Sequence, residues 1–178
     1  MMYRKLATWE LNRPDKDEAI ELKKLPVVFV LDNVRSALNV GSVFRTADGF
    51  GIDKVVLCGI TAQPPHRDIL KTALGATETV NWLYEMNIDL VIDRLKSESY
   101  RIIVIEQTTQ SCLLQDFKMQ HNEKYAFIFG NEVSGVSETV LEKADICLEI
   151  PQSGMKHSLN VAVCAGIIGW ECVRQIKD

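Results

Sequence analysis

Short apolar runs recur along the chain, with helical spacings between them. Val27-Val28-Phe29-Val30-Leu31 is continuous and rich in β-branched residues, the pattern of a strand covered on both faces. Lys54–Cys58, Arg101–Ile105, Tyr125–Phe129 and Ile146–Ile150 read the same way, the last with a polar interruption at Glu149. Ile88, Val91, Ile92 and Leu95 share one helical face. A second helix is predicted from Ser137, an N-cap with Glu138 in the first turn, to about Ala144. Pro64-Pro65 marks a loop after the second strand, and His121-Asn122-Glu123-Lys124 a polar turn before the fourth. Alternating strands and helices predict an α/β fold with a mainly parallel sheet.

The segment from Ser158 to Gln175 has a different pattern. Leu159, Val161, Val163, Cys164, Ile167, Ile168, Trp170 and Val173 cover more than one face of a helix, so it must be buried on several sides. Gly166 and Gly169 would let another backbone approach closely. Either a second copy of the chain or the core of the same copy would supply that cover. No internal repeat or low-complexity tract interrupts the pattern. Residues 1–25 are expected to form a short charged arm, and 26–178 one domain.

Composition narrows the class. A chain of 178 residues, 47% apolar and 25% charged, is an ordinary globular domain with room for a core. No apolar run reaches the ~18 residues of a membrane span, and the N-terminus lacks the apolar centre of a signal peptide, so a cytoplasmic protein is expected. The five cysteines form no C-x-x-C pair and do not cluster with the three histidines. They are read as small apolar residues, and no metal is expected. The net charge of −4 weighs against a large nucleic-acid footprint. Arg4, Lys5, Arg13, Lys16, Lys23 and Lys24 crowd the arm, but Glu10, Asp15, Asp17, Glu18 and Glu21 are interleaved with them.

Parallel α/β sheets bind ligands at the carboxyl ends of their strands, which directs attention to the loops there. No G-x-G-x-x-G follows a strand and no P-loop occurs. Ser158 lacks a G-x-S-x-G setting, so a Ser-His-Asp hydrolase is not supported. Three loops are richer. The first holds Asn39, Gly41 and Arg45; six residues apart, Asn39 and Arg45 would not share a helix face. An Asn39 at or before the helix start would cap it or reach toward Arg45, and Gly41 would admit a ligand or a chain. A capped helix with a surface arginine explains the same residues. The second, Phe129-Gly130-Asn131-Glu132-Val133-Ser134-Gly135, exposes backbone groups able to bond a purine edge or an amino-acid moiety, and fits an ordinary turn as well. In the third, Pro151 fixes the exit from a strand, Gly154 turns the chain, and Ser158 and Asn160 open the last helix. Lys156 and His157 add phosphate-binding groups beside them.

Taken together, N-x-G-x-x-x-R at Asn39–Arg45, F-G-N-E-x-x-G at Phe129–Gly135 and I-P-x-x-G-x-x-x-S-L-N-V-A-V at Ile150–Val163 resemble the three ordered motifs of the SpoU (TrmH-like) family of RNA 2′-O-ribose methyltransferases. The resemblance runs from about Val27 to Gln175. It implies a Rossmann-like domain whose C-terminal part threads a deep trefoil knot, and a homodimer that buries the last helix. It also implies S-adenosylmethionine as methyl donor, held around Gly130, Ile150, Ser158 and Leu159, with Gln107 and Thr108 contributing from the end of the third predicted strand. Arg45 becomes the catalytic arginine, assisted by Asn39, Glu132, Ser158 and Asn160.

The implied substrate is a ribose 2′-hydroxyl of RNA. General-base help to such a nucleophile supplies about 10²–10⁴-fold. A guanidinium with a pKa above about 12 and no acceptor site is a demanding base. Arg45 is therefore read as lowering the hydroxyl's pKa by its charge while holding the neighbouring phosphate. With only a short arm ahead of the domain, tRNA is favoured over rRNA. A D-loop guanosine is the first expectation and the wobble position the close rival. A non-catalytic RNA-binding dimer of the same fold is the alternative from another class.

Overall fold

The computed structural model describes residues 3–155 and 158–176. Seven strands form a single sheet: β1 (Leu25–Asp32), β2 (Ile52–Cys58), β3 (Asn81–Glu85), β4 (Tyr100–Ile105), β5 (Cys112–Leu113), β6 (Lys124–Phe129) and β7 (Ile146–Glu149). Their order is β3-β2-β1-β6-β4-β7-β5, and every neighbouring pair is parallel. Six α-helices accompany them: α1 (Lys16–Glu21), α2 (Ala37–Phe50), α3 (Arg67–Ala73), α4 (Ile88–Ser97), α5 (Glu138–Glu142) and α6 (Val161–Ile176).

The five predicted strands are β1, β2, β4, β6 and β7. The apolar runs failed to indicate β3 and β5, for different reasons. β3 is the sheet edge and carries polar Asn81 and Glu85 at its ends, with no residue fully buried. β5 is only two residues long. At the centre, β1 is buried along almost its whole length, which is why its run is unbroken.

Successive strand residues face opposite sides and build two cores. Val27, Phe29 and Leu31 point to the side covered by α2, α3 and α6, where Phe29 packs edge-on against Phe127 and Phe129. Val28 and Val30 point to the side covered by α4 and α5, joined by Ile92, Ile102 and Val140. Filling both faces with fully buried Val, Ile and Phe, each worth roughly 1.5–3 kcal/mol, makes the strand ends rigid platforms for the loops.

α2 and α6 lie side by side and run in the same direction. Asn39 meets Asn160 at their starts, and at the other end Gly169 is pressed against the Phe50 ring, with Trp170 tilted over it. The glycines of α6 thus act differently from expectation. Gly169 makes room for an aromatic side chain, not a backbone, and a Cβ at Gly166 would enter open space. The helix is also less buried than its pattern implied. Val161, Ala165, Ile168 and Cys172 face the core, whereas Val163 is 50% and Trp170 58% exposed.

Ahead of β1, residues 3–24 hold a short 3-10 turn (Thr8–Leu11) and α1, none of whose residues is buried. Arg4 pairs with Glu10, and Lys16 with Glu78 on the domain. Pairs this exposed contribute little stability each. Among the described residues no helix is long and apolar enough to cross a membrane, and no group of three or more His, Cys, Asp or Glu is placed to hold a metal ion. Cys58 and Cys172 are buried, while Cys112, Cys147 and Cys164 are half-buried.

Candidate active site

The three motif loops leave β1, β6 and β7 at their carboxyl ends and meet there. Each is shaped by its own short-range chemistry. After β1, Asn33 takes a left-handed turn, and its side chain accepts from Ile60 N at 3.1 Å. Thr61 Oγ1 donates to Leu31 O and accepts from Val34 N, tying this loop to the one after β2. Ser36 then caps α2 by accepting from Asn39 N at 3.3 Å. Asn39 therefore lies inside the first turn, where it neither caps the helix nor reaches Arg45.

After β6 the chain folds back on itself. Asn131 and Gly135 exchange two backbone hydrogen bonds, 3.1 and 3.0 Å, and the Asn131 side chain accepts from Val133 N and Ser134 N. Its amide donates to Asn33 O at 2.7 Å, joining this loop to the first. A side chain at Gly130 would overlap the Gly135 backbone, and Gly135 itself has a φ of +65°, so both positions call for glycine. Asn131 was not singled out from the sequence; its signal was an asparagine in a turn directly after a strand.

Glu132 and the two asparagines join all three loops. The Glu132 carboxylate accepts from Arg35 N (2.8 Å), Ser36 N (3.1 Å) and Asn39 Nδ2 (3.0 Å). Asn160 Nδ2 in turn donates to Asn39 Oδ1 at 3.1 Å. Burial of Glu132 raises its pKa, but the amides of Arg35 and Ser36 and the Asn39 side chain prevail and hold it below the usual carboxylate value. The acid sits at the start of α2, where unpaired N–H groups and the helix dipole favour negative charge. Asn160 also caps α6, its Oδ1 accepting from Ala162 N at 2.9 Å and Val163 N at 3.4 Å. The cap expected of Ser158 therefore falls to Asn160.

Between the loops lies a pocket of about 650 Å³. Its walls include Gln107, Gly130, Glu132, Ile150, Ser158, Leu159 and Asn160 from the sequence-predicted set, together with apolar Ile105, Phe129, Leu148 and Val161. Glu106, at the end of β4, was not singled out from the sequence; it also lines the pocket. Thr108 is not part of it. A turn closed by Ser111 N on Thr108 O carries the chain away, and Thr108 lines a separate cavity with Cys112 and Cys147. Arg45 lies outside the pocket, exposed on α2, without an ion pair to any described residue. Asn39 is likewise not a wall residue and reaches the site through Glu132 and Asn160. Lys156 and His157 lie outside the described residues.

The profile of the SpoU rRNA Methylase family matches residues 26–170. The chain belongs to this family. An uncharacterised tRNA/rRNA methyltransferase of Borreliella burgdorferi is 31% identical over 160 residues, covering 90% of this chain and 69% of that one. The tRNA (guanosine(18)-2′-O)-methyltransferase of the same organism is 27% identical over 161 residues, covering 90% and 72%. The chain spans only 62% of the length of Staphylococcus aureus relatives of the TrmH family. Among solved structures, the A. aeolicus TrmH/SpoU tRNA modifying enzyme superposes with a TM-score of 0.78 at 25% identity, over 88% of this SpoU-family chain and 78% of that one.

Proposed function

We propose that this SpoU-family chain transfers a methyl group from S-adenosylmethionine to a ribose 2′-hydroxyl of RNA, with tRNA favoured over rRNA and a D-loop guanosine as the first candidate. The observation that carries the proposal is the Glu132–Asn39–Asn160 hydrogen-bond chain, which holds three loops distant in sequence around one pocket. The pocket's chemistry fits the donor. Its volume is in the range of small-molecule sites, its walls mix apolar side chains with glycine backbone, and its charged wall residues among those described are carboxylates. When bound, S-adenosylmethionine supplies an electrophilic methyl carbon. The preference for tRNA draws support from relatives whose names specify tRNA.

In this reading Gly130, Ile150, Ser158 and Leu159 hold the donor by backbone and packing, with Gln107 beside them. Thr108 lies in the other cavity and is left out of the donor set. Asn39, Glu132 and Asn160 fix the loop geometry, and Ser158 and Asn160 border the reacting groups. Arg45 presents its charge to the RNA, holding a phosphate and making the 2′-hydroxyl easier to deprotonate. Such positioning supplies up to roughly 7–11 kcal/mol, more than base strength alone.

The reading extends to the assembly. Val163, Gly166, Ile167 and Trp170 lie along one stripe of α6, on which Val163 and Trp170 are exposed and Gly166 and Ile167 half-buried in the single chain. A second copy covers it, giving a homodimer with α6 at its centre. In the same reading the C-terminal part of the domain carries the knot that the family resemblance implies. Residues 1–25 act as the arm that meets the RNA backbone, with 26–178 as the catalytic domain in the cytoplasm.

The test is methyl transfer from labelled S-adenosylmethionine to bulk tRNA and rRNA from a strain lacking the protein, followed by mapping of the product. Label at a ribose that resists alkaline cleavage, predominantly in tRNA, is the expected result. Label on a base contradicts the ribose assignment. No label in either RNA, with donor binding intact, favours an RNA-binding dimer without turnover.

A further inference from the structure

The charged residues lining the pocket, among those described, are both acids: Glu106 and Glu132. Their surroundings differ. Glu132 faces the start of α2 and receives two backbone amides there together with Asn39. Glu106 stands at the end of β4 and accepts from Gln107 N at 2.9 Å and Val136 N at 3.3 Å. Those bonds lock its carboxylate between the loop after β4 and the loop after β6. Gly135 packs so closely that a Cβ there would overlap the carboxylate oxygen. No described Lys or Arg pairs with Glu106. Its charge is felt on the α6 wall: the Cys164 thiol is pushed up first by burial and then by Glu106.

A fixed carboxylate with no cationic partner among the described residues, in a half-desolvated wall, selects among ligands by their charge. We propose that Glu106 is a charge-selecting residue of the donor pocket, favouring the sulfonium donor over the neutral thioether left after transfer. The proposal rests on the S-adenosylmethionine reading above. In that reaction the ribose oxygen bonds the methyl carbon as the carbon–sulfur bond breaks. The electron pair of the broken bond stays on sulfur, and the hydroxyl proton leaves to solvent. S-adenosylhomocysteine therefore carries one unit of positive charge less than the donor while keeping nearly the same shape. Shape and backbone contacts separate the two poorly, whereas a single carboxylate separates them directly. The same preference weakens the hold on the product and speeds its exchange for fresh donor.

The experiment is calorimetric titration of S-adenosylmethionine and of S-adenosylhomocysteine into the wild-type chain, Glu106→Gln and Glu106→Asp. The quantity read is the ratio of the two dissociation constants within each protein, so a loosened pocket that weakens both ligands alike cancels. Glu106→Gln is expected to shift the ratio toward S-adenosylhomocysteine on the order of tenfold. Glu106→Asp, which retains the charge, is expected to keep the wild-type preference. An unchanged ratio in Glu106→Gln overturns the proposal, as does an equal shift in both variants. A wild-type chain that binds neither ligand overturns the donor reading itself.

Discussion

Glu132 lies in an exposed loop, yet its carboxylate points at the start of α2 and takes three donors there. Because its pKa is lowered on folding, it adds stability at pH values above the ordinary carboxylate value of 4.5. That contribution is lost as the pH falls through the folded value, which is lower still. The amide resonances of Arg35 and Ser36 should therefore hold steady from about pH 7 to about pH 5 and move only below 4.5. A midpoint above 4.5 contradicts this account of the loop. Glu132→Gln keeps the shape but not the charge, and should loosen residues 131–135 while the sheet stays intact. Arg45 calls for a different test, because it stands apart from the pocket. If its planar fork holds a phosphate, Arg45→Lys should lower turnover on the order of 10²-fold with donor affinity unchanged. Near-normal turnover at about pH 8 would remove that role.

Pairing of α2 with α6 shapes the elements around the site. Gly41, in the first motif, looked from its spacing like room for a ligand or a chain; the neighbour proves to be a chain. A Cβ there would overlap Thr72 Oγ1 and the Ile69 carbonyl, so α3 sits directly on α2. Gly41→Val should destabilise the fold by about 1–3 kcal/mol through overpacking, measured as a lowered urea midpoint. On α6, Trp170→Glu keeps the core-facing Val161, Ala165, Ile168 and Cys172, gives up the ring contact with Phe50 and changes the uncovered stripe. It should turn a sedimenting dimer into a monomer without loss of helix content. A dimer that persists in Trp170→Glu contradicts assembly through this face.

Legibility in the sequence followed the same physics. Strands buried on both faces announced themselves as unbroken apolar runs, whereas edge strand β3, with no buried position, did not. The last helix displayed its apolar residues but not which of them its own core would cover. Motif spacing brought Asn39, Glu132 and Asn160 into view. Their mutual hydrogen bonds were not readable, since they depend on where α2 begins, and Ser36, one turn earlier than expected, is the cap. Glu106 gave no signal because a lone acid after a strand is commonplace; only its place in the wall distinguishes it.

At the scale of the molecule, an all-parallel sheet sends β1, β4, β6 and β7 out at one edge, so their following loops converge without any sequence proximity. That convergence is the central claim: Glu106 and Gln107, residues 129–136, and Ile150, Gln152 and Ser158–Asn160 line one donor pocket. Hydrogen–deuterium exchange with and without S-adenosylmethionine tests it most directly. Slowed exchange confined to the amides around Glu106–Gln107, Gly130–Val136 and Ile150–Asn160, with the cavity beside Thr108 and Cys147 unchanged, is the predicted result. Protection at that second cavity, or saturating donor without protection in the three loops, would contradict it.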